Sequence, residues 1–419
     1  MFVLSAAAFL DRVNISIAAP SLGAAYHLNK VQLGPIFSAF LWGYAAFQTI
    51  GGRLADKIGS RKVLALSVIW WGAFTALTAS VPTGIKGSLV LLVMVRFLLG
   101  AGEAVMYPAS NQFVARWIPN RERGIANGWI FAGVGAGAAL SPPLITYVML
   151  EYGWRSSFWM CAVLGLIAGL VWFLIARDRP EQHRLVSPSE LELIRTGISA
   201  DKTACDSQHL IPWRSILRSR EVLAITISYF TFGYVAWIFF SWFFTYLLEA
   251  RNLNLKASAF YGTLPFLAIA ACSPLGGLIS DRLTRKHTAR LGRCYLAAVA
   301  IGLAGIFLLL GVETRGARLA TVVLAGGAGA LYLAQSSFWS VTAGLAGSSS
   351  GSVSGFMNMG AQIGGAVSTL LTPAIANWFG WTAAFLVAAG LCVLGAVAWT
   401  FIDPERTIEP SKLTAVQTS

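Results

Sequence analysis

The stretch Gly52–Lys62 reads GRLADKIGSRK and directly follows the apolar run 34–52. A second stretch, Gly277–Lys286, reads GLISDRLTRK and also follows an apolar run. The two aspartates, Asp56 and Asp281, are 225 residues apart. Each stretch places glycine, aspartate and basic residues at the end of an apolar segment, so the sequence predicts the same local structure twice.

Two further matches share almost the same spacing. The pair Gly-Trp occurs at 153–154 and 380–381, which are 227 residues apart, and Pro-Glu occurs at 180–181 and 404–405, which are 224 apart. Three independent matches at nearly one spacing indicate an internal duplication. A repeat with an even number of membrane spans keeps its orientation, which gives parallel halves and favours a binding site near the midplane between them.

The composition indicates a membrane protein, because 56% of the 419 residues are hydrophobic and only 12% are charged. Apolar runs of about 18 or more residues are long enough to cross a bilayer core of about 30 Å as helices. The predicted spans are 1–24, 34–52, 63–81, 87–108, 124–149, 155–176, 222–247, 257–280, 292–311, 318–344, 352–378 and 381–402.

The longest polar stretch, 177–220, divides these twelve spans into six and six. We therefore predict an all-α integral membrane protein with two pseudo-symmetric six-helix bundles, residues 1–176 and 221–402. The predicted central loop is 177–220 and the predicted C-terminal tail is 403–419. We expect the lipid bilayer to be its main surroundings, and we expect a monomer.

The formal net charge of +13 could suggest a nucleic-acid partner, but the positions of the charges favour another explanation. If residue 1 is cytoplasmic, 22 of the 31 Lys and Arg residues fall in the even-numbered connections and the C-terminal tail, and 7 fall in the odd-numbered connections. This bias is typical of cytoplasmic loops, so both termini are predicted to be cytoplasmic and no nucleic-acid partner is expected. Residues 1–10 lack a basic region and a cleavage site, which favours a first helix over a signal peptide. The missing basic tail leaves open a start upstream of Met1.

Four charged residues lie deep in predicted spans: Asp11, Arg12, Arg96 and Glu103. A charge at the bilayer centre costs about 2.5–3.5 kcal/mol on insertion scales, so such residues usually face a cavity or a partner. Arg96 and Glu103 are seven residues apart and lie on one helix face, about 10 Å apart along the axis. The adjacent Asp11 and Arg12 point about 100° apart. We expect Arg12 to face a substrate and Asp11 to join a network with the fourth span.

These charges suggest a coupling mechanism. With all four ionised, the cavity is neutral and offers an anion no net attraction. Protonation of Glu103 or Asp11 leaves one positive charge, so a carboxylate would then have a partner. A proton and an anion would thereby bind with positive coupling, as symport requires. Interhelical salt bridges without a transport role are the alternative interpretation.

The first glycine-rich loop has a mechanical interpretation as a cytoplasmic gate. Gly52 lets two helices approach closely, and Asp56 can accept hydrogen bonds from the N-terminus of a neighbouring helix. Arg61 would anchor the loop at the cytoplasmic side, and Asp281 would repeat the arrangement in the second half. A helix end with topogenic charge is the simpler interpretation, and the two are compatible.

These loops and the six-plus-six plan resemble the major facilitator superfamily over essentially the whole chain. Within it, the sequence resembles the anion:cation symporter family, which includes bacterial proton-coupled transporters of galactonate, glucarate and hexuronates. The matching stretches are Leu10–Ser16, Phe37–Tyr44, Arg96–Pro108 and Gly355–Gly360. The resemblance implies the major facilitator fold, a proton-driven transporter of a small organic anion, and a multi-pass protein of the bacterial inner membrane.

The resemblance also implies roles for the buried charges. In sugar-acid transporters of this family, the position matched by Arg12 binds the substrate carboxylate. The positions matched by Asp11 and Glu103 carry protons, and the position matched by Arg96 tunes them.

Other matched positions contact the hydroxylated part of the substrate, and they correspond to Tyr44, Trp339 and Asn358. This sequence departs from the galactonate-carrying members at two places, because Phe9 stands at a tyrosine position and Val134 at a glutamine position. Losing two polar contacts argues against a galactonate-like polyol and leaves room for a less hydroxylated acid.

Two further residues are candidates for the substrate site on their own chemistry. Trp237 lies among the aromatic residues that crowd the seventh span, where packing or interfacial anchoring is the commoner role. Gln362 lies one turn after Asn358 on a glycine-rich helix. Both polar side chains could instead bridge helices.

The leading prediction is proton-coupled uptake of a small organic anion, a sugar acid or a related carboxylate, by alternating access. A proton-coupled exporter of amphiphilic compounds is a second possibility, although it would need no arginine pair. A membrane receptor is a third, although the central loop shows no signalling segment. The histidines lie in loops or at helix ends and the cysteines are scattered, so no catalytic residue, metal site or cofactor is predicted and an enzyme is least favoured.

Overall fold

The computed structural model describes residues 1–28, 30–85, 87–199, 211–253 and 255–408. Cys205, His209 and most of the predicted C-terminal tail lie outside these residues. The first group of helices is α1 Phe2–Tyr26, α2 Lys30–Ile58, α3 Ser60–Ser80, α4 Ser88–Glu103, α5 Met106–Trp117, α6 Arg123–Tyr152 and α7 Trp154–Ile175. The short helices α8 Pro188–Ser199 and α9 Trp213–Arg218 follow.

The second group begins with α10 Arg220–Trp237, which continues through a π-helical turn, Ile238–Trp242, into α11 Phe243–Glu249. The remaining helices are α12 Leu255–Gly262, α13 Leu264–Lys286, α14 Leu296–Glu313, α15 Ala317–Leu333, α16 Gln335–Ala346 and α17 Ser350–Ala398. Another π-helical turn, Arg290–Tyr295, precedes α14. The all-helical fold predicted from the sequence is confirmed.

Nine helical stretches within the described residues are long and apolar enough to cross a membrane. One of them, Ser350–Phe401, is bent at Gly380, whose backbone is not helical. The helices α1 and α2 have 25 and 29 residues, so both have the length to span a bilayer. The count of twelve spans stays a prediction.

The internal duplication is visible in the backbone. Gly153 and Gly380 have nearly the same conformation, with φ 82° and ψ 159° against φ 84° and ψ 163°. Each stands directly before the tryptophan of its Gly-Trp pair, and a side chain would disfavour such a positive φ. His27 and Asn252, 225 residues apart, are the two non-glycine residues of the described chain with positive φ, at 53° and 50°. The same turns therefore recur at the spacing that the sequence repeat predicts.

The two halves of the chain meet along two helix pairs, α2 with α17 and α6 with α13. Glycine permits both approaches. A Cβ atom at Gly52 would clash with the backbone of Gly351, and one at Gly277 would clash with the backbone of Gly124. These contacts lie at the end of the molecule that carries Asp56 and Asp281, and we call it the basic end.

The outer surface of the helices is apolar, as a lipid-facing surface must be. Leu150 is 80% exposed, Trp378 is 76% exposed and Phe379 is 73% exposed. A protein surrounded by water would avoid so large an apolar exterior. Several polar and charged side chains are instead buried, and a few of them line a central cavity between the two halves.

Candidate functional site

A cavity lies between the two halves of the chain, and seven helices supply its walls, together with the π-helical turn Ile238–Trp242: α1, α5, α6, α10, α15, α16 and α17. Its polar lining includes Arg12, Gln335, Asn358 and Gln362. The aromatic lining consists of Phe9, Tyr107, Phe131, Tyr229, Phe232, Trp237, Phe240, Tyr332 and Trp339. The cavity is therefore a largely aromatic chamber with a few polar groups, as is typical of sites for small ligands.

Arg12 forms a buried ion pair with Glu103. Its Nε atom donates to Glu103 Oε1 over 2.5 Å, and both side chains are almost fully buried. Glu103 is the last residue of α4, and the backbone stays helical through Ala104 and Val105 into α5. The pair therefore joins α1 to the junction of α4 and α5. Arg12 Nη2 and Glu103 Oε2 are buried without a hydrogen-bond partner among the described residues, so each partner has an atom left for a further bond.

Aromatic rings surround the Arg12 guanidinium. Its central carbon lies 4.6 Å from the ring centroids of Phe9 and Tyr44, 5.4 Å from that of Phe40 and 5.8 Å from that of Tyr107. Rings at these distances attract a cation through their quadrupoles, more strongly where water is excluded. They also restrict the guanidinium to one orientation, so Arg12 presents a fixed donor to the cavity.

The other two of the four predicted buried charges, Asp11 and Arg96, do not form a direct ion pair. Asp11 Oδ2 accepts a hydrogen bond from Thr75 on α3 over 2.8 Å, and Oδ1 has no partner among the described residues. The hydrogen bond that Asp11 makes is thus to the third helix, whereas the sequence predicts a network with the fourth span. Arg96 on α4 packs against Phe40, with its central carbon 5.1 Å from the ring centroid. Arg96 Nε and Nη1 likewise have no partner in the described chain.

The structure brings most of the predicted substrate contacts to one place. Trp237, Trp339, Asn358 and Gln362 line the same cavity as Arg12. Tyr44 is not part of the lining. It is fully buried on α2, where its ring lies beside the Arg12 guanidinium. Its geometry suits positioning of Arg12.

Among the lining residues that sequence reasoning missed, two are joined by a hydrogen bond. Tyr229 on α10 accepts hydrogen bonds from Gln335 Nε2 over 2.7 Å and from Trp339 Nε1 over 3.0 Å. Tyr229 could not be distinguished from the other aromatic residues of its span. Gln335 follows the break between α15 and α16, and a polar residue at mid-span was the signal that could have identified it.

The two aspartates of the repeated loops make matching contacts across the halves at the basic end. Asp56 accepts hydrogen bonds from the backbone N–H groups of Gly351, at 3.0 Å, and Ser352, at 2.8 Å, in the first turn of α17. Asp281 accepts from the N–H groups of Gly124, at 3.0 Å, and Ile125, at 2.7 Å, in the first turn of α6. Each carboxylate meets the positive end of a helix dipole in the opposite half.

Arg61 takes no part in these contacts between the halves. Its guanidinium donates to the carbonyl oxygen of Phe173 over 2.8 and 3.0 Å, and its backbone N–H donates to Asp178 over 2.8 Å. Phe173 lies on α7 in the first half, and Asp178 follows directly after that helix. Arg61 thus fastens the loop to α7, while Asp56 contacts the second half.

Replacing Asp56 with asparagine is expected to loosen the contact between the halves at the basic end. A hydrogen bond to a charged group contributes about 1.5–3 kcal/mol, so we expect the separated population to rise about tenfold or more. The measurement is the distance distribution between spin labels on Lys57→Cys and Lys286→Cys, two exposed positions on opposite halves.

Asp178→Asn is the matched control. Asp178 also accepts a hydrogen bond from a backbone N–H in the first turn of a helix, but this bond does not reach the second half. An equal shift in both variants, or a shift in neither, would contradict a latch between the halves at Asp56.

The sequence model of the Major Facilitator Superfamily matches residues 1–369 and 347–418. The chain belongs to the major facilitator superfamily. A probable sulfoacetate transporter of Cupriavidus necator is 33% identical over 405 residues, which cover 96% of this chain and 92% of that protein. A hexuronate transporter of Bacillus subtilis is 29% identical over 95% of this chain and 92% of that protein.

A probable galactarate/D-glucarate transporter of Escherichia coli is 30% identical over 68% of this chain and 66% of that protein. The solved structure of the proton:xylose symporter XylE has a TM-score of 0.78 with 14% identity, covering 98% of this chain and 96% of that one. This likeness confirms the major facilitator fold. The resemblance to sugar-acid transporters of the anion:cation symporter type is likewise confirmed.

Membership of this superfamily makes the chain a multi-pass membrane transporter and not an enzyme. Its relatives carry organic anions, including sugar acids, by their names. The described residues contain no cluster of three or more His, Cys, Asp or Glu side chains that could hold a metal ion.

Proposed function

We propose that the protein is a proton-coupled symporter that takes up a small organic anion, a sugar acid or a related carboxylate. The observation that carries this proposal is the buried Arg12–Glu103 pair, whose arginine lines the cavity between the two halves. An arginine has the planar fork of donors that a carboxylate or another oxyanion fits. The named relatives, which carry organic acids, support the same class of substrate.

The pair supplies the coupling between proton and substrate. In the resting site Arg12 is neutralised by Glu103, so an entering anion competes with the Glu103 carboxylate for one guanidinium. A proton on Glu103 removes that competition and leaves a net positive charge for the anion. Binding of either ion then favours binding of the other, since the linkage is reciprocal. Asp11 is a second buried carboxylate that can take up a proton, because its Oδ1 atom has no hydrogen-bond partner among the described residues.

We propose that the two six-helix halves, residues 1–176 and 221–402, rock against each other around the cavity. The basic end would face the cytoplasm of a bacterial cell, with both termini inside and the carrier acting as a monomer in the inner membrane. The bias of basic residues toward that end supports this orientation. The contacts of Asp56 and Asp281 across the halves would hold the cytoplasmic end closed while the cavity loads.

Proteoliposomes containing the purified protein test this proposal. We expect an organic acid that binds the purified protein to accumulate when an inward proton gradient is imposed, and only to equilibrate without it. Acids are screened first by thermal shift, because a bound ligand stabilises the folded protein. Equal accumulation with and without the gradient would refute the coupling.

A further inference from the structure

Arg12 is the one charged residue on the cavity lining formed by the described residues. The rest of the lining consists of aromatic rings, small apolar residues and three amides. An anionic group bound at Arg12 would therefore be the only one with a cationic partner there. A second anionic group on the same ligand would be buried without a partner, which costs several kcal/mol. This lining favours a ligand with one negative charge.

The hydroxyl group of Tyr229 on α10 is an oriented donor in the lining. Its oxygen accepts from the indole N–H of Trp339 and from the side-chain N–H of Gln335, so both of its acceptor positions are used. Its own proton remains to be donated. Gln335 Oε1 is buried and accepts no hydrogen bond in the described chain. This part of the lining therefore offers one donor and one acceptor, which a hydroxyl group on a ligand can satisfy together.

Most of the remaining lining is aromatic. Tyr107 stacks on Phe131 with centroids 5.2 Å apart, and the Phe131 ring lies 5.4 Å from that of Trp339. Phe9 and Val134 also line the cavity and offer no hydrogen bond. A hydroxyl group that faces these residues would lose its bonds to water, at a cost of about 1–3 kcal/mol, so only the few hydroxyl groups beside an amide could keep theirs. A flat apolar body would instead pack against the rings.

We propose that the ligand is a monoanionic acid with a mainly apolar, ring-sized body and a hydroxyl group, and that Tyr229 with Gln335 binds this hydroxyl. A monohydroxylated ring carboxylate has this chemistry. The inference rests on the proposed function, which supplies the anion site at Arg12. It separates this chain from two of its named relatives by charge, because sulfoacetate and glucarate each carry two anionic groups, and from the hexuronate transporter by the several hydroxyl groups of a hexuronate.

Binding to the purified full-length protein tests the ligand class. The probes are 3-hydroxybenzoate, 4-hydroxybenzoate, benzoate, gluconate and sulfoacetate, measured by calorimetry and by quenching of tryptophan fluorescence. We expect the better hydroxybenzoate to bind about tenfold more tightly than benzoate, the effect of one or two hydrogen bonds. Gluconate and sulfoacetate should bind more weakly than benzoate.

Tighter binding of gluconate or sulfoacetate would overturn the inference and leave the proposed function standing. Absence of binding by all five acids would also overturn it, while proton-driven accumulation tests the proposed function separately.

The variant Tyr229→Phe tests the role of the hydroxyl group, because it removes the donor and keeps the ring. We expect the affinity for the preferred hydroxybenzoate to fall about tenfold, to that of benzoate, while the affinity for benzoate is unchanged. Tyr234→Phe is the matched control: Tyr234 is equally buried on the same helix but does not line the cavity. It should change neither affinity. Equal losses for both ligands in Tyr229→Phe would indicate a structural role and overturn the assignment.

Discussion

Replacing Arg12 with glutamine is expected to abolish transport of the organic acid. The guanidinium is the charged group of the cavity lining in the described chain, and Phe9 and Tyr44 hold it in one orientation. Removing one partner of a buried charge pair costs about 2–5 kcal/mol, which is a loss of about thirtyfold or more in affinity. Uptake into proteoliposomes and binding by thermal shift both measure this loss.

Two further variants separate the loss of anion binding from a loss of folding. Arg12→Gln leaves Glu103 buried without its partner, whereas Arg12→Gln with Glu103→Gln leaves a neutral pair of similar size. We expect the double variant to remain monodisperse and folded, yet inactive. Arg12→Lys keeps the charge but lacks the planar fork, so we expect most of the transport rate to be lost. Wild-type uptake by the single glutamine variant would refute the substrate role of Arg12.

Much of the fold could be predicted because membrane helices have a strong local signal. A run of apolar residues identifies a span without information from the rest of the chain. The repeat added the long-range order, since Asp56 and Asp281 mark equivalent helix ends. The sequence also suggested that Asp56 meets the N-terminus of a neighbouring helix, and the structure identifies that helix as α17.

The details of the site were less predictable because they depend on how each helix is rotated about its axis against its neighbours. Seven residues separate Arg96 and Glu103 on one predicted face of α4. In the structure the Glu103 carboxylate lies beside Arg12, while Arg96 packs against Phe40. The sequence alone does not show whether Arg12 or Arg96 pairs with Glu103.

The hydrogen bonds that join Tyr229, Gln335 and Trp339 were unpredictable for a related reason. Tyr229 and Trp339 are 110 residues apart on different helices. An aromatic residue in a membrane helix commonly packs against lipid or a neighbour, so its type carries little information about a site. Only the structure shows that Trp339 and Gln335 both donate a hydrogen bond to the Tyr229 hydroxyl group on the cavity wall.

Replacing Glu103 with glutamine is expected to separate exchange from accumulation. Glutamine cannot bind or release a proton in the working pH range, so its charge no longer depends on the proton gradient. Arg12 then has no competing carboxylate, and the anion site stays available on both sides of the membrane. We expect the variant to exchange internal for external substrate at a rate near that of the wild type. Accumulation driven by an inward proton gradient should fall to the level seen without a gradient.

Glu221→Gln is the matched control for this experiment. Glu221 is also buried, and its Oε1 atom lies 2.9 Å from Nη1 of Arg406. Unlike Arg12, which Glu103 binds, neither of these residues lines the cavity. A general requirement for buried carboxylates would impair both variants, whereas a coupling role predicts full accumulation in Glu221→Gln alone. If Glu103→Gln accumulated substrate as the wild type does, the coupling proton would have to bind elsewhere. Asp11 would then be the next group to replace, because its carboxylate is the other one buried beside Arg12.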